Sequence, residues 1–184
     1  MSKDSALVVR DADDSDMQAV QRIYAFYVLH GLATFEEAPP TVGELLLRRR
    51  IIVDARLPYL VATLGNDIAG YAYAGFYRPR PAYRYTVEDS VYVADTFRSK
   101  GVGSALLSAV IERCEQGDWR QMIAVVGDSE NLGSIALHRR FGFKHVGTLK
   151  AVGFKLGRWV DTVLMQRTLG EGDREMPIDL SAFT

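Results

Sequence analysis

One stretch limits the possible folds more than any other. A strand-like run, Tyr85–Val93 (YTVEDSVYV), is followed by a short turn, Arg98-Ser99-Lys100-Gly101-Val102-Gly103, and then by an amphipathic run from Gly103 to about Gln116. Glycine lets the backbone reach positive φ and come close to a ligand. A helix N-terminus adds unpaired N–H donors and a partial positive charge. A glycine turn at a strand-to-helix junction can therefore hold a pyrophosphate along Ser99 to Ser104, with Arg98 and Lys100 as added cations. A lone R-x-x-G-x-G more often serves tight packing alone, and the strand-to-helix junction is what favours the anion site here. The alternatives fit poorly. No G-x-G-x-x-G follows a first strand, and no glycine turn ends in G-K-[ST].

The flanking periodicities place this junction in a larger pattern. Ala6–Arg10 reads as a first strand. Ser15 and Gln18 form a capping-box pattern, and Met17, Val20, Ile23, Tyr24 and Tyr27 then share one helical face. Pro39-Pro40 breaks the chain. Thr41 and Glu44 open a second helix to about Ile52. Tyr59–Leu64 and Ile68–Tyr77 form a hairpin around Gly65-Asn66-Asp67. Gln121–Val126 is a strand, and Asn131–Phe141 is a helix stopped by Gly142. His145–Lys155 and Arg158–Leu169 form a last hairpin turning at Leu156-Gly157. This order predicts an α/β fold: a mixed sheet with helices on both faces, as one domain over 1–169 with a polar tail at 170–184.

Composition narrows the function classes. Lys plus Arg is 22 and Asp plus Glu is 23 in a chain of 184 residues, a balance that disfavours nucleic-acid and membrane-surface binding. Met1 to Asp16 is polar, so no signal peptide is expected, and no apolar run approaches the roughly 18 residues of a membrane span. A single cysteine, Cys114, fits a reducing cytoplasm, and its helical spacing from Leu106 and Val110 puts it on a buried face. Three scattered histidines predict no metal site.

The junction residues, taken together, resemble a known family. The R-x-x-G-x-G turn after the V-x-V strand Val91-Tyr92-Val93 resembles motif A of the GNAT superfamily of N-acetyltransferases. The helix bearing Asn131 and Ser134, followed by Phe141-Gly142-Phe143, resembles its motif B. The runs YTVEDSVYV, Gln121–Asp128 (QMIAVVGD), Asn131–His138 (NLGSIALH) and Val152–Gln166 are similar to the phosphinothricin and methionine sulfoximine acetyltransferase subgroup. The likeness covers about Val8 to Leu169. It departs at Ser99, where glycine is common, at Asp95, where proline is frequent, and at His138, where many members carry tyrosine.

The resemblance implies a GNAT fold, with acetyl-CoA as co-substrate between two splayed parallel strands, Tyr85–Val93 and Gln121–Val126. Backbone groups of Val91, Tyr92 and Val93 would pair with the pantetheine arm as an added strand does. Arg98, Ser99, Lys100, Gly101, Val102, Gly103 and Ser104 would hold the pyrophosphate, with Asn131 and Ser134 on the opposite wall. The attacking amine must be neutral, so a base is useful, and Glu88 is the candidate, acting through water. It shares a strand face with Ser90 and Tyr92. His138 would protonate or hydrogen-bond the leaving sulfur, or pack. Arg78 and Arg84, beside Tyr85 and Thr86, could fork a carboxylate. Phe35 and Glu36 would form a lid. Lys155, in the last hairpin, would contact substrate, and that hairpin, with Trp159, would also build a homodimer interface.

The reaction so implied is acetyl transfer to the α-amine of a small amino-acid-like compound of phosphinothricin, methionine sulfoximine or methionine sulfone type, a detoxification. Other amine acceptors (a polyamine, an aminoglycoside or a protein N-terminus) remain open. So does a non-catalytic acyl-CoA-binding module, which would be expected to have lost Glu88.

Overall fold

A computed structural model describes residues 6–176. The two chain ends, including the last eight residues of the expected tail, lie outside the described residues. The strands are β1 (Leu7–Asp11), β2 (Tyr59–Leu64), β3 (Asp67–Phe76), β4 (Thr86–Val93), β5 (Gln121–Gly127), β6 (Lys144–Lys155) and β7 (Arg158–Thr168), and the helices are α1 (Met17–His30), α2 (Val42–Asp54), α3 (Val102–Glu115) and α4 (Leu132–Arg140). One seven-stranded sheet runs in the order β1-β2-β3-β4-β5-β7-β6. β4 and β5 are parallel and every other neighbour pair is antiparallel. The expected mixed sheet with helices on both faces is what forms.

Strand alternation decides which side chain meets which helix. On one face, Leu106, Leu107, Val110, Ile111 and Cys114 of α3 pack on Val87, Met122, Ala124 and Met165. On the other, Met17, Val20, Ile23 and Tyr24 of α1, with Leu45 of α2, cover Tyr59, Val61, Tyr71 and Tyr92. Each fully buried Leu or Met contributes roughly 1.5–3 kcal/mol over its exposed state. Cys114 is such a core residue and fully buried.

One local expectation is corrected. The capping box at the start of the first helical segment is not Ser15 with Gln18. Asp13 caps a short 3-10 turn, accepting from the Ser15 N–H, while Asp16 bonds back to the Asp13 N–H. Asp offers the better acceptor, and a bidentate contact from Arg10 at 2.7 Å holds Asp16 in place. The Thr41–Glu44 box forms as expected. So does the two-residue turn of the last hairpin, with left-handed φ at both Leu156 and Gly157.

The feature that matters most for function is a fork. The parallel register runs only from Thr86↔Gln121 to Asp89↔Ala124. Beyond it, Ser90–Val93 stay paired with β3 and Val125–Gly127 with β7. The two strands part there, and backbone edges open inside the sheet.

Candidate active site

A cavity of about 930 Å³ fills this fork. Its walls are the end of β4, the turn into α3, the end of β5, α4, and the segment after α1. Gly101 has φ +81° and Ser99 φ +60°. Two left-handed residues in so short a turn bring successive N–H groups to one side. The Ser99 position therefore needs a conformation that glycine adopts without cost, and Ser adopts it here. No side chain caps α3, and the Ala105 N–H to Gly101 carbonyl bond at 3.0 Å is the first rung of that helix. The N–H groups of Val102, Gly103 and Ser104 are left without a partner within the helix. All three residues line the cavity. Arg98 lines it too, over the Tyr27 ring at 5.7 Å and paired with Asp95 at 3.2 Å. Lys100 instead lies over Phe97 at 5.0 Å and is not a lining residue.

Asn131 caps α4, its Oδ1 accepting from the Ser134 N–H at 3.2 Å, and it also lines the cavity. Val91, Tyr92 and Val93 border it, and the Val93 carbonyl already accepts from the Tyr27 hydroxyl at 2.7 Å. The Tyr92 side chain turns away into a cluster of tyrosines, with ring centroids 5.1–5.2 Å from Tyr24, Tyr27 and Tyr71.

β4 carries different chemistry on its two faces. Glu88 lies on the face of α1 and α2. Burial pushes its carboxyl up to about 7, helped by the negative Asp89 and opposed by Arg78. A carboxyl so placed is partly ionised at neutral pH and can accept a proton. On the other face, Asp89 is buried, and His138 Nε2 lies 2.9 Å from its Oδ2. The other ring nitrogen of His138 lies 2.7 Å from the Ser134 carbonyl. The C-terminus of α4 sets this up. Gly142, at φ +83°, donates to the Arg139 carbonyl and Phe143 to the His138 carbonyl, a closure that seats Phe143 edge-on to the His138 ring at 5.1 Å.

The remaining predicted residues divide by place. The Phe35 ring packs on Gly153 of β6, where an added Cβ would stand 2.5 Å from it. Glu36 is held by a fork from Arg48 of α2, at 2.6 and 3.2 Å, and by the Tyr24 hydroxyl at 2.9 Å. Arg48 drew no notice in the sequence, because an arginine on an exposed helix face looks like solvation. Tyr73 lies within electrostatic reach of Glu36, Arg48 and Glu88. Arg78 rests over Tyr77 at 5.1 Å, within electrostatic reach of Glu88. Arg84 stacks on Tyr85 at 4.9 Å and donates to the Pro81 carbonyl. The Tyr85 carbonyl receives the Arg120 N–H at 2.8 Å, which brings the start of β5 alongside Thr86. Lys155 is buried, with Nζ donating to the Thr34 carbonyl at 2.7 Å and the Tyr27 carbonyl at 3.4 Å. Its ammonium ties the Phe35 segment to β6.

Comparison with known proteins agrees with this geometry. Residues 9–164 match the family described as "Acetyltransferase (GNAT) domain". A phosphinothricin N-acetyltransferase of Alcaligenes faecalis is 54% identical over 172 residues, 94% of this chain and 87% of that protein. An L-methionine sulfoximine/L-methionine sulfone acetyltransferase of Pseudomonas aeruginosa is 40% identical, covering 88% of this chain and 94% of its own. Among solved structures, a GNAT superfamily phosphinothricin acetyltransferase from Sinorhizobium meliloti, in complex with AcCoA, superposes with a TM-score of 0.91 at 46% identity, covering 95% of this chain and 94% of that one. The forked sheet, the uncapped helix behind a left-handed glycine turn and these likenesses agree: the chain belongs to the GNAT family of acetyltransferases.

Proposed function

We propose that this protein moves acetyl from acetyl-CoA to the α-amine of a small amino-acid-like compound of the phosphinothricin, methionine sulfoximine or methionine sulfone class. The observation that carries this reading is the place of Glu88 on β4, one residue before the parallel pairing with β5 ends, where burial raises its carboxyl to about 7. The relatives named above support the substrate class.

Each residue contributes one physical task. The left-handed turn and the uncapped start of α3 offer N–H groups to a pyrophosphate, a reading supported by the positive φ at Ser99 and Gly101. The open β4 edge offers backbone groups to an extended arm, and an N–H there polarises a thioester carbonyl. Glu88 takes a proton from the acceptor ammonium through water. Arg78 and Arg84 are the cations that draw the acceptor carboxylate. Phe35 and the Glu36–Arg48 pair close the acceptor side. Because Arg48 neutralises Glu36, that wall suits an amino acid better than a polyamine.

The hairpin of β6 and β7 exposes Val146, Leu149, Val152, Phe154 and Trp159, the last at 67%. An apolar patch of this kind marks an interface, and a symmetric homodimer covers it. Phe154→Glu combined with Trp159→Glu is expected to turn a dimer into a monomer in light scattering. An unchanged mass would remove this hairpin from the interface. The working compartment in this reading is the cytoplasm, which keeps Cys114 reduced, and the physiological role is detoxification.

A thiol-release assay with acetyl-CoA tests the main proposal. Methionine sulfoximine, methionine sulfone, phosphinothricin, ordinary amino acids and spermidine form the panel. Turnover of the first three is the expected result. Turnover of spermidine alone would sink the proposal, and cofactor binding without any turnover would point to a binding module.

A further inference from the structure

α4 is lightly packed for a helix that walls the fork. Of its residues only His138 is buried. Polar ties at its two ends therefore fix where it stands. Toward its C-terminus, His138 meets Asp89 of β4. At its start the tie is the turn 128–131, and that turn is held from β7. The Asp128 N–H donates to the Asp161 carbonyl at 2.9 Å, and the Asn131 N–H donates to the Asp128 carbonyl at 3.0 Å. Asp128 has φ +69°, a left-handed residue that is not glycine. Such a conformation persists only where its surroundings fix it. The Ser129 hydroxyl supplies one fixed point, donating to Asp161 Oδ2 at 2.7 Å. Arg158 supplies another, pairing with Asp128 Oδ2. Asp128 lines the cavity, so this pair also offsets a negative charge that would repel an anionic ligand.

Asp161 stands at an irregular point of the last hairpin. Leu149 pairs with Thr162 and Gly153 with Val160, so three residues of β6 face Asp161 alone on β7. This is a bulge, and it leaves ladder donors unpaired. The Asp161 carboxylate takes them up. Its Oδ1 accepts from the Ala151 N–H at 2.9 Å, and its Oδ2 accepts from the Lys150 ammonium at 2.8 Å. Together with Ser129 these donors hold the carboxyl down at about 2, so it stays ionised through the neutral range. One carboxylate thus joins the bulge, where Leu149 and Val152 are exposed, to the turn that opens α4.

We propose that Asp161 is a positioning residue for acetyl-CoA: through Ser129 it sets the turn 128–131, and with it Asn131 and the start of α4, against the fork. This rests on the reading of the fork as the acetyl-CoA site. Asp128, Glu130 and Asn131 line the cavity, whereas Ser129 and Asp161 do not. Their effect on the cofactor therefore passes through the backbone of the turn. Without the Ser129 bond, Asp128 is freer to leave the left-handed region, and the Asn131 cap moves with it. The cofactor then meets a wall that binding itself must order, which lowers affinity.

Isothermal titration of the full-length protein with acetyl-CoA tests this. Ser129→Ala removes one hydroxyl and no lining atom, and is expected to weaken binding about three- to tenfold. Asp161→Ala should weaken it at least as much. The double variant should be no weaker than Asp161→Ala, because both substitutions break the same tie. Asp161→Asn is the conservative rescue. It can still accept from Ala151 and bond the Ser129 hydroxyl through its amide, so it should bind nearly as the wild type does. Lys150→Met removes the other arm of the bulge and should leave affinity unchanged. In Ser129→Ala the acetyl-CoA KM should rise while kcat at saturation and the acceptor KM hold. Wild-type affinity in Ser129→Ala, or equal weakening in Lys150→Met, overturns the positioning role and leaves the cofactor reading intact. The Ser129 and Lys150 variants decide the matter if Asp161→Ala does not fold. A wild-type protein that does not bind acetyl-CoA would instead overturn the cofactor reading on which the inference rests.

Discussion

Replacing Glu88 with Gln is expected to lower kcat by about 10²- to 10⁴-fold, the usual loss of a positioned general base. The variant keeps size and hydrogen bonding but cannot accept the amine proton. The pH dependence is the sharper readout. Wild-type activity should rise with pH through about 7, where this carboxyl ionises, and Glu88→Gln should lack that rise. Stability moves the other way. The folded value lies above the ordinary 4.5, so ionising Glu88 costs the fold stability. That cost begins as pH rises past the unfolded value and is complete above the folded one. Above about pH 7 the Gln substitution should therefore stabilise the protein, on the order of 2 kcal/mol with allowance for partial exposure. Thermal melts at acid and alkaline pH check this. A wild-type-like pH–rate profile in Glu88→Gln would remove this residue from the mechanism.

Gly101→Val is expected to raise the acetyl-CoA KM by roughly ten- to a hundredfold while kcat at saturation changes little. The reason is conformational. A Cβ at Gly101 would meet nothing within 4 Å, so there is room for a side chain. But φ is +81°, and a β-branched residue in the left-handed region costs about 1–2 kcal/mol or more. The turn is expected to rearrange, and the N–H groups that start α3 lose their shared direction. Gly101→Asn is the control, because Asn tolerates this region and should retain most of the affinity. Isothermal titration with acetyl-CoA separates the two. Equal weakening by both substitutions would mean that the site needs a missing side chain rather than a left-handed backbone.

Much of this architecture was legible in the residues. The glycine turn marks a strand-to-helix junction because few other arrangements use paired glycines there. Hairpins show as alternation around Gly65-Asn66 and Leu156-Gly157. Asn131 and Thr41 announce helix starts by their own hydrogen-bonding chemistry. Site residues within these elements could be placed by counting. What escaped depended on contacts between distant segments. Asp89 reads as a polar strand residue until α4 delivers His138 to it from 49 positions away. The signal was present, since a carboxylate at an inward-facing position calls for a partner, but the identity of that partner is tertiary information. Lys155 reads as a cation for substrate, yet its Nζ meets carbonyls more than a hundred residues earlier. The Glu36–Arg48 fork likewise joins a loop to a helix face that no periodicity links.

The fork also makes the sheet mechanically uneven. Its four N-terminal strands and three C-terminal strands share only the four-residue register from Thr86↔Gln121 to Asp89↔Ala124. Strand-to-strand hydrogen bonding across the sheet passes through that short seam. Pulled apart across it, the sheet would tear there first. An extended molecule lodged in the fork, bonded to β4 on one side, would act as a splint across the opening. Occupancy then sets how stiffly the two lobes are coupled, as well as what reaction they can carry out.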